Sequence, residues 1–245
     1  MKKLYEKKPL LLALVLIGVY VVLFSLSDNL STSIGIEKII TAPVSLLFSF
    51  VLLFLITKSR LLKEFGLCKG EKPQKCNLFY LPLILIVLPN LIFGFKLTLS
   101  PLEAVLGVVT MLMVGFLEEV IFRGFLFKAL CKDNFKTAVI ISSVTFGFGH
   151  IINLLNGAEF FGTLLQIFYA TAIGFLFTII FHKTKSLWPC IITHSAVNSL
   201  SIFLNAEAIS KTQDILVALF LCVVPILYSI YIIKQPKTNK FNKGV

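Results

Sequence analysis

Apolar residues run through this chain in long uninterrupted stretches, separated by short clusters of Lys, Glu, Asp, Asn, Gly and Pro. The stretches show neither the alternation of a half-buried strand nor the one-sided stripe of a helix lying on a water-soluble core. The first, "LLLALVLIGVYVVLFSL" (10–26), is apolar on every face and close to the about 20 residues with which a helix crosses a hydrocarbon core. Seven more follow, placing spans at roughly 10–26, 40–57, 78–95, 99–127, 137–154, 160–181, 187–205 and 214–233. The pattern predicts an all-α, polytopic membrane protein with about eight transmembrane helices, a single membrane domain over residues 1–245 without a soluble domain.

Composition sharpens this reading. Of 245 residues, 57% are hydrophobic and 14% charged, with a mean hydropathy of +0.93, whereas soluble domains are about half apolar and a quarter charged. The net charge of +11 would suggest a nucleic-acid partner in a soluble protein, but its placement points elsewhere. Nineteen of the 23 Lys and Arg fall in the N-terminal segment, the 58–77 loop, the 128–136 turn, "HKTK" and the C-terminal tail; Lys38, Lys96 and Lys211 lie in the opposite loops. The positive-inside rule then sets both termini in the cytoplasm of a multi-pass cell-membrane protein, as an even span number also requires. The basic charge is an orientation signal, with anionic lipid as its partner and no nucleic acid.

The first run is long for a secretory signal and "SLS" (25–27) is a weak cleavage site, so we expect an uncleaved first helix. Cys68, Cys76, Cys131, Cys190 and Cys222 have no metal-ligand spacing, and the topology exposes three of them to a reducing cytosol, so no structural disulfide is expected.

Against this background "GFLEEVIFRG" (115–124) stands out, with three ionisable groups inside an apolar run. A charge at the centre of a membrane helix costs at least about 2.5–3.5 kcal/mol on insertion scales, so unpaired carboxylates are not retained for packing. Glu119 and Arg123 are spaced i,i+4 with the acid first, the favourable order for an ion pair on one helix face. Glu118, about 100° round the helix, is then left for another partner. The alternative is that the helix ends early and the three charges form a solvated cap. Two of the three His are also intramembrane: His150 in "TFGFGHIIN" and His194 in "ITHSAVNSL", where His194 and Asn198 share a face at i,i+4. Counted from the cytoplasmic ends of their spans, Glu118, His150 and His194 lie at depths of roughly 10–20 Å. They would form one buried polar layer, open, if anywhere, towards the cytosol.

A carboxylate beside an imidazole can hold and deprotonate a water, while a second imidazole and a carboxamide can donate to a tetrahedral oxyanion. Ser195 points away from His194 and reads as packing. A Glu with two His is also a zinc inventory, although "HExxH" is absent and the ligands would come from separate helices.

These residues resemble the CPBP family of intramembrane proteases, the CAAX-protease and bacteriocin-processing group also called Abi proteins. Its successive motifs EExxxR, FxxxH and HxxxN match "EEVIFR" (Glu118, Glu119, Arg123), "FGFGH" (Phe146, His150) and "HSAVN" (His194, Asn198), and "KTKSLWP" is similar to the usual lead-in to the last motif. The resemblance covers about residues 100–205, a CAAX-protease/Abi-like catalytic core within the domain. It implies an endopeptidase in which Glu118 and His150 activate water, His194 and Asn198 stabilise the oxyanion, and Glu119, Arg123 and Phe146 shape the site. It leaves zinc, held by Glu118, His150 and His194, beside a metal-free glutamate mechanism. The implied partner is a membrane-associated peptide or protein; prenylated C-termini, peptide pheromones and bacteriocin leaders all agree with it. A non-catalytic immunity or scaffolding protein remains the alternative, with a proton-coupled transporter third, since no repeat symmetry is detectable.

Overall fold

The computed structural model describes residues 1–71, 79–93, 95–96, 98–205 and 209–235. A short α1 (Lys2–Lys7) leads into α2 (Pro9–Ile34) and α3 (Thr41–Lys58). Then come α4 (Leu81–Ile92), α5 (Pro101–Glu118), a π-helical segment (Glu119–Phe127) and its short continuation α6 (Lys128–Leu130). The remainder is α7 (Phe135–Gly149), α8 (Ile152–Leu155), α9 (Phe160–Thr184), α10 (Trp188–Ser201) and α11 (Lys211–Lys234). The all-α polytopic class holds: each expected apolar run carries a helix in the predicted order. Among the described residues, six stretches are long and apolar enough to cross a membrane, whereas α4 and α10 have 12 and 14 residues. At 1.5 Å per residue those two reach only about 18 and 21 Å, short of the about 30 Å hydrocarbon thickness. They pack against each other, with Asn90 Nδ2 donating to the Val197 carbonyl. Beyond them Phe95 bridges Leu204 and the Lys96 amide bonds the Phe203 carbonyl.

Local chemistry sets the ends. Ser100 and Glu103 close a capping box ahead of Pro101, and Ser210 with Gln213 does the same for α11. Glu159 caps α9 by accepting from the Gly162 and Phe161 amides, which hold its carboxyl below the usual range. The first helix runs eight residues beyond the expected end at 26 because Ser27 and Ser31 hydrogen-bond back to Leu23 and Ser27 carbonyls, keeping their hydroxyls satisfied. It stops at Gly35, whose φ of 81° suits glycine alone.

α9 is packed between α7 and α11; α10 lies on α5 and α4, α3 on α5, and α2 on the π segment. Close approach depends on small residues, as is general for membrane helices. A Cβ on Gly115 would collide with Ser195, and one on Gly147 with Thr171 and the Ile167 carbonyl. Ser195 is therefore a packing residue, with its hydroxyl on the Leu112 carbonyl. Cys68, Cys131, Cys190 and Cys222 are free thiols, and Cys76 lies outside the described residues.

Candidate active site

The helix containing "EEVIFR" does not end in a solvated cap. It continues to Leu130, and Glu119 and Arg123 have no exposed surface. Its π-helical turns extend over nine residues, while such turns are mostly single bulges at functional positions. Arg123 Nη1 donates to Glu119 Oε1 at 3.0 Å. The guanidinium carbon lies 4.0 Å from the centroid of the Phe146 ring, a desolvated cation–π contact worth about 2 kcal/mol. Phe146 thus covers the charge, and Gly174 on α9 makes room for it: a Cβ there would stand 3.0 Å from Arg123 Nη2 and 3.1 Å from Phe146.

α10 inserts His194 between the two glutamates. Nδ1 lies 2.9 Å from Glu119 Oε1, and Nε2 lies 3.5 Å from Glu118 Oε2. Glu119 therefore serves Arg123 and His194 with one oxygen. The imidazole thus sets one nitrogen towards each acid, Nδ1 towards Glu119 and Nε2 towards Glu118. Glu118 Oε2 is buried and has no hydrogen-bond partner. Its other oxygen accepts from the Tyr20 hydroxyl at 2.6 Å. Sequence reasoning missed Tyr20; the available signal was the single tyrosine in the middle of the first apolar span.

α7 breaks at His150, the residue after the glycine pair of "FGFGH", and the chain resumes as α8. His150 thus sits at a helix end rather than inside a continuous span. Its ring and that of His194 each stand 5.6 Å from the Phe146 centroid, edge to face, so the three motifs share one layer. Two cavities, of about 340 and 490 Å³, meet there along Phe146, His150, Gln166, Asn198 and Ser201. The smaller also contains His194 and is walled by apolar side chains such as Ile86, Ile173 and Leu221. The larger contains Glu118 and Tyr20 and runs to Asp28, Lys38 and Thr41. Gln166, bonded by Asn153 at 3.0 Å, is a second polar residue that the motifs did not reveal.

The direction of opening corrects the expectation from sequence. Both cavities lead to the end formed by the α2–α3 turn and the start of α11, which the charge distribution assigns to the non-cytoplasmic side. Phe65, Phe125, Phe127 and Phe181, each at most 1% exposed, fill the bundle towards the basic turns, whereas the break at His150 leaves space at the other end. A separate basic cleft at the Lys-rich end, lined by Arg60, Lys63 and Lys132 among others, contains none of the predicted site residues.

Among the described residues, no group of three or more His, Cys, Asp or Glu side chains is placed to hold a metal ion.

Residues 100–200 match the family model described as type II CAAX prenyl endopeptidase Rce1-like. Over these residues the chain is similar to the CPBP proteases. The candidate membrane peptidase YdiL of Bacillus subtilis (strain 168) is 34% identical over 103 residues, covering 42% of this chain and 38% of that protein. The chain therefore aligns with well under half the length of that relative. No solved structure matches it. The matched region contains the π segment, His150, His194 and Asn198, but not Tyr20.

Proposed function

We propose that the chain is an intramembrane endopeptidase that cuts a membrane-associated peptide or protein with a water activated by Glu118. The observation carrying this reading is Glu118 Oε2: a buried carboxylate oxygen without a hydrogen-bond partner, on a cavity wall that also presents His150 and Asn198. Such an oxygen has a use only if something mobile occupies the space before it. A water held by Oε2 and His150 gives its proton to Glu118 as its oxygen adds to the scissile carbonyl. In this reading N–H groups of His194 and of the Asn198 amide donate to the oxyanion as it develops, and Glu118 then returns the proton to the leaving nitrogen. Glu119 and Arg123 hold His194 rather than touch substrate. The apolar lobe suits a long apolar side chain or acyl-like group on one side of the bond, and the polar lobe an extended peptide on the other.

Six apolar helices and the membrane-peptidase relative support a membrane location. With both termini cytoplasmic and anionic lipid against the basic turns, cleavage falls near the non-cytoplasmic face.

Purified full-length protein in lipid vesicles, given candidate substrate peptides, tests the reading. Glu118→Gln and His150→Ala should insert normally and lose nearly all turnover, while Asn198→Ala should retain a remainder about 10²–10³ below wild type. Normal processing or protection in cells by Glu118→Gln would replace the enzyme with the immunity or scaffold reading. Turnover lost to a chelator and restored by zinc would replace the glutamate mechanism with a metal-dependent one.

A further inference from the structure

The π segment and α10 explain how His194 is held, but Glu118 takes its shortest contact from a helix outside the matched core. Tyr20 lies midway along α2, and its hydroxyl donates to Glu118 Oε1 across 98 positions of sequence at 2.6 Å. Both residues line the larger cavity. The Tyr20 ring is fixed by Phe24 one turn on, with centroids 4.5 Å apart, so the phenol approaches Glu118 from one side only. A carboxylate in an apolar layer could otherwise present either oxygen to water, or rotate to meet His194 with both.

We propose that Tyr20 is a positioning residue for the hydrolytic base, which rests on the peptidase reading above: by engaging Oε1 it leaves Oε2 as the oxygen that takes the proton. In the step that follows, one O–H bond of water breaks and its proton goes to Oε2. The water oxygen forms the bond to the carbonyl carbon, and the π pair moves to the carbonyl oxygen. The Tyr20 proton stays on the phenol throughout and stabilises the ionised form of the base, because hydrogen bonds to charged groups are the stronger class. The charged and titratable groups facing Glu118 come from five places: Asp28 on α2, Lys38 in the α2–α3 turn, Glu119 and Arg123 on its own helix, His150 on α7 and His194 on α10. Tyr20 alone among its partners donates to Oε1.

Tyr20→Phe removes the hydroxyl and keeps the ring. Losing a donor to the charged form removes a stabiliser of that form, so the acidic limb of kcat should move to higher pH. At neutral pH kcat should fall roughly tenfold with KM changed less than twofold. Incorporation of 3-fluorotyrosine at position 20, a more acidic phenol of nearly the same shape, should move the limb the other way. Phe24→Leu is the packing control, and should lower the yield without moving the limb. Independently of turnover, the infrared carboxyl band absent from Glu118→Gln should titrate at higher pH in Tyr20→Phe. A folded Tyr20→Phe protein with unshifted limb and band midpoint overturns the proposal, as does a loss of yield with both unshifted. Should Tyr20→Phe fail to fold, an unshifted midpoint in the fluorotyrosine protein does the same. Should Glu118→Gln retain turnover, the peptidase reading falls, while the band midpoint still decides whether Tyr20 controls Glu118.

Discussion

Two ion pairs of almost equal length lie in different surroundings, one in the buried layer of the site and the other beside the α2–α3 turn. Arg123 meets Glu119 at 3.0 Å with both side chains wholly buried, and Lys38 meets Asp28 at 2.9 Å with side chains 23% and 30% exposed. Distance alone would rank them together. Their surroundings separate them: the buried pair is joined by His194 and roofed by Phe146, while Asp28 also accepts from Thr41 where the α2–α3 turn comes to the surface. Removing one partner from a buried pair strands a charge, whereas a pair at the rim is screened. The same contact is thus a structural necessity in one place and an adjustable feature in the other.

The sharpest way to break this comparison is Arg123→Leu, which leaves Glu119 buried without its cation. We expect a loss of about 3–5 kcal/mol, seen as little folded protein recovered from the membrane, while Glu118→Gln is recovered normally. Equal recovery of the two would mean that the acids do not divide structural from chemical roles. Gly174→Ala probes the same pair without touching a charge. Its Cβ would press on Arg123 and Phe146, which already hold each other, so overpacking should outweigh the gain in helix propensity and cost about 1–2 kcal/mol, read as an earlier thermal loss of monomer in lipid micelles. Smallest is Lys38→Ala, expected to change stability by no more than about 1 kcal/mol and to lose even that in high salt. A Lys38→Ala loss matching that of Arg123→Leu would show that the rim is as dry as the core.

The correction in cavity direction is instructive. Counting residues from span ends gave comparable depths for Glu118, His150 and His194, and their rings and carboxylates do meet in one layer. The same counting could not show which side of that layer is filled. Four phenylalanines close one side, and the interruption of α7 at His150 opens the other. The glycine pair before His150 was visible in the sequence, but a glycine in a membrane helix marks either a break or a close helix contact. Here Gly147 makes the contact with α9, and the helix ends at Gly149.

By itself the sequence determined what one helix decides internally: the order of the apolar helices, the i,i+4 pairing of Glu119 with Arg123, and the separation of Glu118 onto another face. These follow from 1.5 Å and 100° per residue, which every α-helix shares and the π turns loosen without undoing. The tertiary structure alone decided that Tyr20 meets Glu118, that His194 enters between two glutamates, and that α4 and α10 are too short to span alone. The physical reason is that lipid-facing and helix-facing positions are alike apolar in this chain, so hydropathy fixes where a helix lies but not how it is rotated against its neighbours. That rotation is set by close packing, through residues such as Gly115, Gly147 and Gly174 whose partners come from distant parts of the chain.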